Sequence, residues 1–130
     1  MIDWKNTMMG ALGINISTEE GHIVATMPVD NRTCQVSGVL HGGASLALAE
    51  TLAGYGSMQM LAPGYFPYGV SVSGNHFRAV ETGHTVHAVG TLLHSSKSLH
   101  TWNVDIFDDE ERLVSTVRVV NKIGMSHDVK

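Results

Sequence analysis

The sequence predicts an α+β fold in which an antiparallel sheet wraps around one long central helix. Three observations predict it. Residues 42–61 are apolar nearly all round, over a length that spans about 30 Å as a helix. Two short runs before that segment and four after it have the partial or full alternation of strands. The chain has 130 residues, 43% hydrophobic and 15% charged, the size and make-up of a single domain, 1–130, with a sizeable core.

The elements follow in order. Residues 3–11 are expected to form a short helix. Residues 13–18 and 22–29 read as strands around the turn Glu19-Glu20-Gly21, with Ile23, Ala25, Met27 and Val29 sharing one face. The long helix, 42–61, is stopped by Ala62-Pro63-Gly64. Strands are then expected at 68–78, 84–95, 98–107 and 112–123, running as an antiparallel meander. Trp102, Val104 and Ile106 fall on one side of the third, and Leu113, Val117 and Val119 on one side of the fourth. Ser95-Ser96-Lys97-Ser98 and the acidic Asp108-Asp109-Glu110-Glu111 are the connecting turns.

Composition narrows the function. A formal net charge of −4 argues against nucleic-acid binding through a basic surface. The one cysteine, Cys34, allows no intrachain disulfide and reads as a small packing residue at a pocket mouth. The N-terminal MIDWKNTMMGALG lacks a basic stretch followed by an apolar run, and the long apolar segment holds Glu50 and several glycines. No membrane span is expected, and the cytoplasm is the expected location. Among the eight histidines no zinc spacing occurs. His84 and His87, three apart on a strand, are expected on opposite faces, so no metal is expected. His94 and His100 are expected near each other across a turn, solvated or paired.

Glu50 poses the chemical question. A charge inside an apolar helix must be paired, protonated or at a ligand surface. A carboxylate so placed suits a catalytic base or nucleophile. Gly42 and Gly43 open the same helix, where the first N–H groups have no intrahelical partner and the dipole is positive. Without side chains there, a ligand carbonyl can reach those amides, as in an oxyanion-type site. Against this stands a plainer reading, in which these glycines, with Gly54 and Gly56, simply let the chain turn and pack.

Helix geometry limits how the parts combine. Gly42 and Glu50 are eight residues apart, about 12 Å along one axis. They cannot both reach one carbonyl carbon from the same helix. Two antiparallel helices side by side can do it, and a symmetric dimer does it twice.

The segment DNRTCQVSGVLHGGASLALAETL, residues 30–52, closely resembles the stretch leading into the helix of hotdog-fold acyl-CoA thioesterases. The resemblance is to the bacterial group acting on aromatic and related acyl-CoA thioesters. That group includes the Arthrobacter-type 4-hydroxybenzoyl-CoA thioesterase, the proofreading thioesterase of enterobactin synthesis and phenylacetate thioesterases. Weaker likeness extends to MPVD at 27–30, HFR at 76–78, the turn at 95–98 and IFD at 106–108.

The resemblance implies a hotdog fold, dimers and often tetramers, and hydrolysis of an acyl-CoA. Coenzyme A would enter as part of the substrate, with no separate cofactor. Glu50 falls at the catalytic carboxylate, as base or nucleophile. Gly42 falls where a backbone N–H from the other subunit polarises the carbonyl, with Gly43 beside it. His41 and Gln35 fall where the thioester or leaving thiolate is oriented, and His76 near the acyl pocket. Four residues after the carboxylate the group has Ser or Thr. Here it is Gly54, with Ser57 one turn further as a substitute hydroxyl. Arg78, Lys97 and the turn serines Ser96 and Ser98 are candidates for the substrate, the two cations for the phosphates of coenzyme A. Two other readings compete: a hotdog hydroxyacyl dehydratase using His41 and Glu50 as an acid–base pair, and a noncatalytic acyl-binding module.

Overall fold

The computed structural model describes residues 2–125 and places one six-stranded antiparallel sheet around one long helix. A 3₁₀ turn, Trp4–Asn6, and a short helix α1, Met8–Ala11, come first. They divide the expected helix 3–11, because Thr7 is extended between them. Strands β1, Asn15–Glu19, and β2, His22–Pro28, pair around Glu20-Gly21, whose φ values of 51° and 81° give the positive-φ pair of a tight hairpin. Ala25, Met27 and Val29 are buried on the face predicted for them, and Ile23 packs against it.

Helix α2, Gly42–Met58, ends three residues before the expected stop. Its buried residues include Ser45, Leu48, Ala49, Leu52, Ala53 and Gly56. Glu50 is exposed. The helix is therefore not buried all round: its small residues are apolar, but one side is left open.

Strands β3, Tyr65–His76, β4, Thr85–Ser95, β5, Leu99–Phe107, and β6, Leu113–Met125, complete the sheet in the order β1-β2-β4-β5-β6-β3. The expected four-strand meander is corrected here. β4, β5 and β6 do follow one another, but β3 pairs with β6 and not with β4. The connection 77–84 makes this possible. Its Val80 carbonyl accepts from the Leu40 N–H at 2.8 Å, and Gly83 N–H donates to the Val29 carbonyl at 2.9 Å, so it carries the chain across to β2. β3 and β1 are thus the two edges of the sheet.

Trp102, Val104 and Ile106 are buried against α2 as predicted, with Val117 and Val119. Leu113 departs: it is 40% exposed, because the register shifts at Ile106/Phe107 and Phe107 pairs with Leu113. Val114 and Ser115 are then buried in succession, which alternation does not predict. Among the described residues no helix is long and apolar enough to cross a membrane.

Candidate active site

The loop from β2 to α2 is fixed before it reaches Gly42. The Thr33 hydroxyl donates to the Pro28 carbonyl at 2.9 Å and accepts from the Asp30 N–H at 3.1 Å. The Thr33 carbonyl accepts from the His41 N–H at 2.8 Å, and the Gln35 N–H donates to the Val39 carbonyl at 2.9 Å. Arg32 closes this turn on Asp30 at 2.8 Å, and its hydrogen bond holds the Asp30 carboxyl below the usual carboxylate range. These bonds set Gln35 and His41 beside the start of α2.

His41 is the N-cap of α2. Its Nδ1 accepts from the Gly43 N–H at 2.8 Å, which leaves the proton of the neutral ring on Nε2. This alters the expectation for the two glycines. The Gly43 amide is taken by the cap. The Gly42 N–H has no hydrogen-bond partner among the described residues and is the amide left for a ligand.

Gly42 also needs to be small. A Cβ there would stand 2.8 Å from His76 Nε2. His76 ends β3, and its Nδ1 is 2.7 Å from the hydroxyl of Ser115 on β6. A cavity of about 370 Å³ brings together Gln35, Gly42, Ser45, His76, Phe77 and Arg78. His41 and Gly43 line a neighbouring cavity with Cys34 instead. Of the residues in the first cavity, Ser115 lies outside every motif stretch, and only the β3–β6 pairing puts it there.

Glu50 stands apart from this group, as the helix rise requires. It opens on an apolar groove of about 360 Å³ shared with Trp4, Met9, Gly54, Tyr55 and Phe66. A Cβ built at Gly54 meets nothing within 4 Å. Trp4 is anchored there by its Nε1, which donates to the Ile14 carbonyl at 3.0 Å. Trp4 and Phe66 carry no sequence signal for this groove, since the fold alone brings the N-terminal turn and the start of β3 to the helix.

Ser57 does not take the place of the missing hydroxyl. It is fully buried, and its Oγ is 2.8 Å from His100 Nδ1, 2.9 Å from Trp102 Nε1 and 3.2 Å from Asn121 Nδ2. Those contacts use its whole bonding capacity, so nothing remains for water or substrate. They also correct the expectation for His100, which is 4% exposed and not solvated. The turn Ser96-Lys97-Ser98 is exposed, with the Ser96 hydroxyl on Leu99. Ser95 beside it pairs with His100, so this turn lies toward the last turn of α2, away from Gly42 in the same chain. Arg78 borders two cavities, the second with His84, Asp108 and Arg112. His84 and His87 reach the acidic turn, at Asp109 (2.8 Å) and Glu111 (3.4 Å).

Residues 37–115, more than half of the chain, match the Thioesterase superfamily, and the protein belongs to that family. Similar proteins agree. ComA2 of Bacillus subtilis, named as an esterase, is 40% identical over 120 residues, covering 90% of this chain and 94% of its own. The crystal structure of the thioesterase HI1161 of Haemophilus influenzae is 37% identical, with a TM-score of 0.88, over 94% of this chain and 85% of its own. A hypothetical thioesterase of Streptococcus pneumoniae, solved with coenzyme A, has a TM-score of 0.79 at 22% identity, over 90% of this chain and 91% of its own, and shows likeness of fold alone. The architecture is the hotdog fold, and the family is one of hydrolases.

Proposed function

We propose that the protein hydrolyses an acyl-CoA thioester, of aromatic or medium acyl chain, at sites shared between two subunits. Glu50 of one chain is the base or nucleophile, and the Gly42 N–H of the other polarises the carbonyl. Water adds its oxygen to the acyl carbon, the C–S bond breaks, and the thiolate of coenzyme A leaves and takes up a proton. Coenzyme A is part of the substrate, and its compatibility with this fold is supported by the pneumococcal neighbour that holds it.

The observation that carries this reading is the placement of both groups along β3. Glu50 lies against Gly69, and Gly42 lies against His76, seven residues further on the same edge strand. β3 is long, exposes Val70 and leaves one edge unpaired, the kind of edge that proteins cover. Antiparallel pairing of two β3 edges, centred between these residues, sets Gly69 of one chain opposite His76 of the other. Glu50 then comes to the Gly42 of the second chain, twice per dimer. His41 Nε2–H and Gln35 remain to orient the thioester or the leaving sulfur. Pairs of such dimers would give the tetramer.

The test is thiol release from a panel of acyl-CoAs, read with a thiol reagent. Glu50→Gln keeps the shape and removes the base, so turnover should fall by about 10²–10⁴-fold. A Glu50→Gln protein with more than half of the wild-type turnover overturns the reading.

A further inference from the structure

Gly69 is a residue to which neither the sequence motif nor the family match gives a role. It is exposed on β3, at an irregularity in the strand: Gly69 pairs with Asn121 and Ser71 with Val120, so Val70 is left over as a bulge. Bulges of this kind bend an edge strand and re-aim what lies beside it. What lies beside it here is the Glu50 side chain. A Cβ built on Gly69 would overlap Glu50 Oε2 and stand 3.0 Å from its carboxyl carbon.

Among the described residues of its own chain nothing else holds that carboxylate: the Glu50 side chain makes no hydrogen bond and no ion pair, and the residue is exposed. Its position rests on packing against the bare backbone of β3. We infer that Gly69 is a positioning residue for Glu50: the absence of a side chain at 69 is what lets the carboxylate lie against the strand and face the reacting carbonyl. This rests on the proposed role of Glu50.

The consequence of adding a methyl group can be worked out. The obstructed atom is the tip of a flexible, exposed side chain, not backbone or core. The cheapest response is for Glu50 to change rotamer, with β3 and α2 unmoved. The fold therefore survives and the geometry of the carboxylate does not. A misplacement of about 1 Å at a reacting group is worth about 100-fold in rate.

The experiment uses Gly69→Ala, Glu50→Asp and the double variant, with Glu50→Gln beside them, each checked for melting temperature and oligomeric state. Gly69→Ala should lower kcat by about 10–100-fold with KM little changed and the wild-type melting temperature and assembly retained. Glu50→Asp withdraws the carboxylate by one methylene, away from the position of the new methyl. In that background Gly69→Ala should cost less than about threefold, a coupling that a purely structural role would not produce. Equal losses in both backgrounds overturn the inference. So does a Gly69→Ala protein with more than half of the wild-type kcat, or one that melts early or dissociates. If Glu50→Gln is itself active, the proposed function fails first. If Glu50→Gln is dead and Gly69→Ala is not, only this inference fails.

Discussion

His100 Nδ1 meets the Ser57 hydroxyl at 2.8 Å inside the core, joining the last turn of α2 to β5. Ser57 Oγ also accepts from Trp102 Nε1–H and Asn121 Nδ2–H. Both of its acceptor sites are then used, and its one hydrogen goes to His100. His100 is therefore neutral, with its proton on Nε2. Among the described residues no buried side-chain polar atom is left unpartnered, and this group is one reason.

Protonating His100 would place a second hydrogen between two donors. Burial already holds the His100 pKa below the ordinary value of about 6.5. Between the folded and unfolded pKa values the unfolded chain binds more protons, so stability rises with pH there. The contribution of His100 is complete above about pH 6.5 and is lost as the pH falls below it. Denaturant midpoints at pH 7.5 and pH 5 should show a smaller acid-side drop in His100→Gln than in the wild type. Equal drops would remove His100 as a source of acid sensitivity.

The same hydroxyl gives a stability prediction. Ser57→Ala leaves Trp102 Nε1–H, Asn121 Nδ2–H and His100 Nδ1 short of a partner. A buried polar group left unsatisfied costs about 1–3 kcal/mol. Urea unfolding of Ser57→Ala should show a loss of at least about that size, with catalysis by the surviving folded protein nearly normal. A neutral substitution, or a large loss of turnover at full stability, would return Ser57 to the active site.

His84 should act in the opposite sense. Its hydrogen bond to Asp109, and then the Asp109 charge, raise its pKa. Such a histidine gives stability that is complete below its unfolded pKa and is lost as the pH rises through the folded value. Both groups are about half exposed, so the effect should be small. An NMR titration should place the His84 midpoint above that of an unperturbed histidine, and Asp109→Asn should bring it down.

How much of this was legible follows from where each signal lies. Elements with alternation or local turn chemistry, such as β2, β5 and the Glu20-Gly21 hairpin, could be read directly. The pairing of β3 with β6 could not, because a strand pattern does not name its partner. The open side of α2 was hidden for another reason: alanine and glycine look apolar to any periodicity test, yet leave room where they face outward. The Ser57 group joins residues at 57, 100, 102 and 121, and no local window contains it. The loss of the Gly43 amide to His41 was readable in principle, since a polar side chain just before a helix is a cap. Gln35, Gly42 and His76 line one cavity, while Glu50 opens on a different groove, the separation that the helix rise had indicated for one chain.

The proposed sharing of each site between two chains gives a complementation test. Glu50→Gln and Gly42→Val should each be inactive alone. Mixed and co-folded, they form heterodimers with one intact site, built from Glu50 of one chain and Gly42 of the other. Statistical mixing makes about half of the dimers hybrid, each with one working site of two, so about a quarter of wild-type activity should return if the sites are independent. Heterodimers that form and stay silent would show that the trans arrangement is wrong.

Gly54 decides what the groove beside Glu50 is for. The resemblance in sequence implies a hydroxyl residue in the related group at this position, one helical turn after the carboxylate. Here a Cβ would meet nothing within 4 Å in its own chain, so the position is open and not a packing contact of the monomer. The open space continues into the groove bounded by Tyr55, Met58 and Phe66. We expect it to hold part of a bulky acyl group. Gly54→Ser replaces the poorest non-proline helix former, a gain of a few tenths of a kcal/mol or more in helix propensity. The melting temperature should therefore stay the same or rise slightly. Turnover of short acyl-CoAs should be kept, while that of bulky aromatic acyl-CoAs should fall, because the added side chain occupies their space. A large fall in melting temperature with an unchanged substrate profile would mean that the facing subunit packs on Gly54. Overpacking at such an interface costs about 1–3 kcal/mol, and the acyl group would then have to be sought elsewhere.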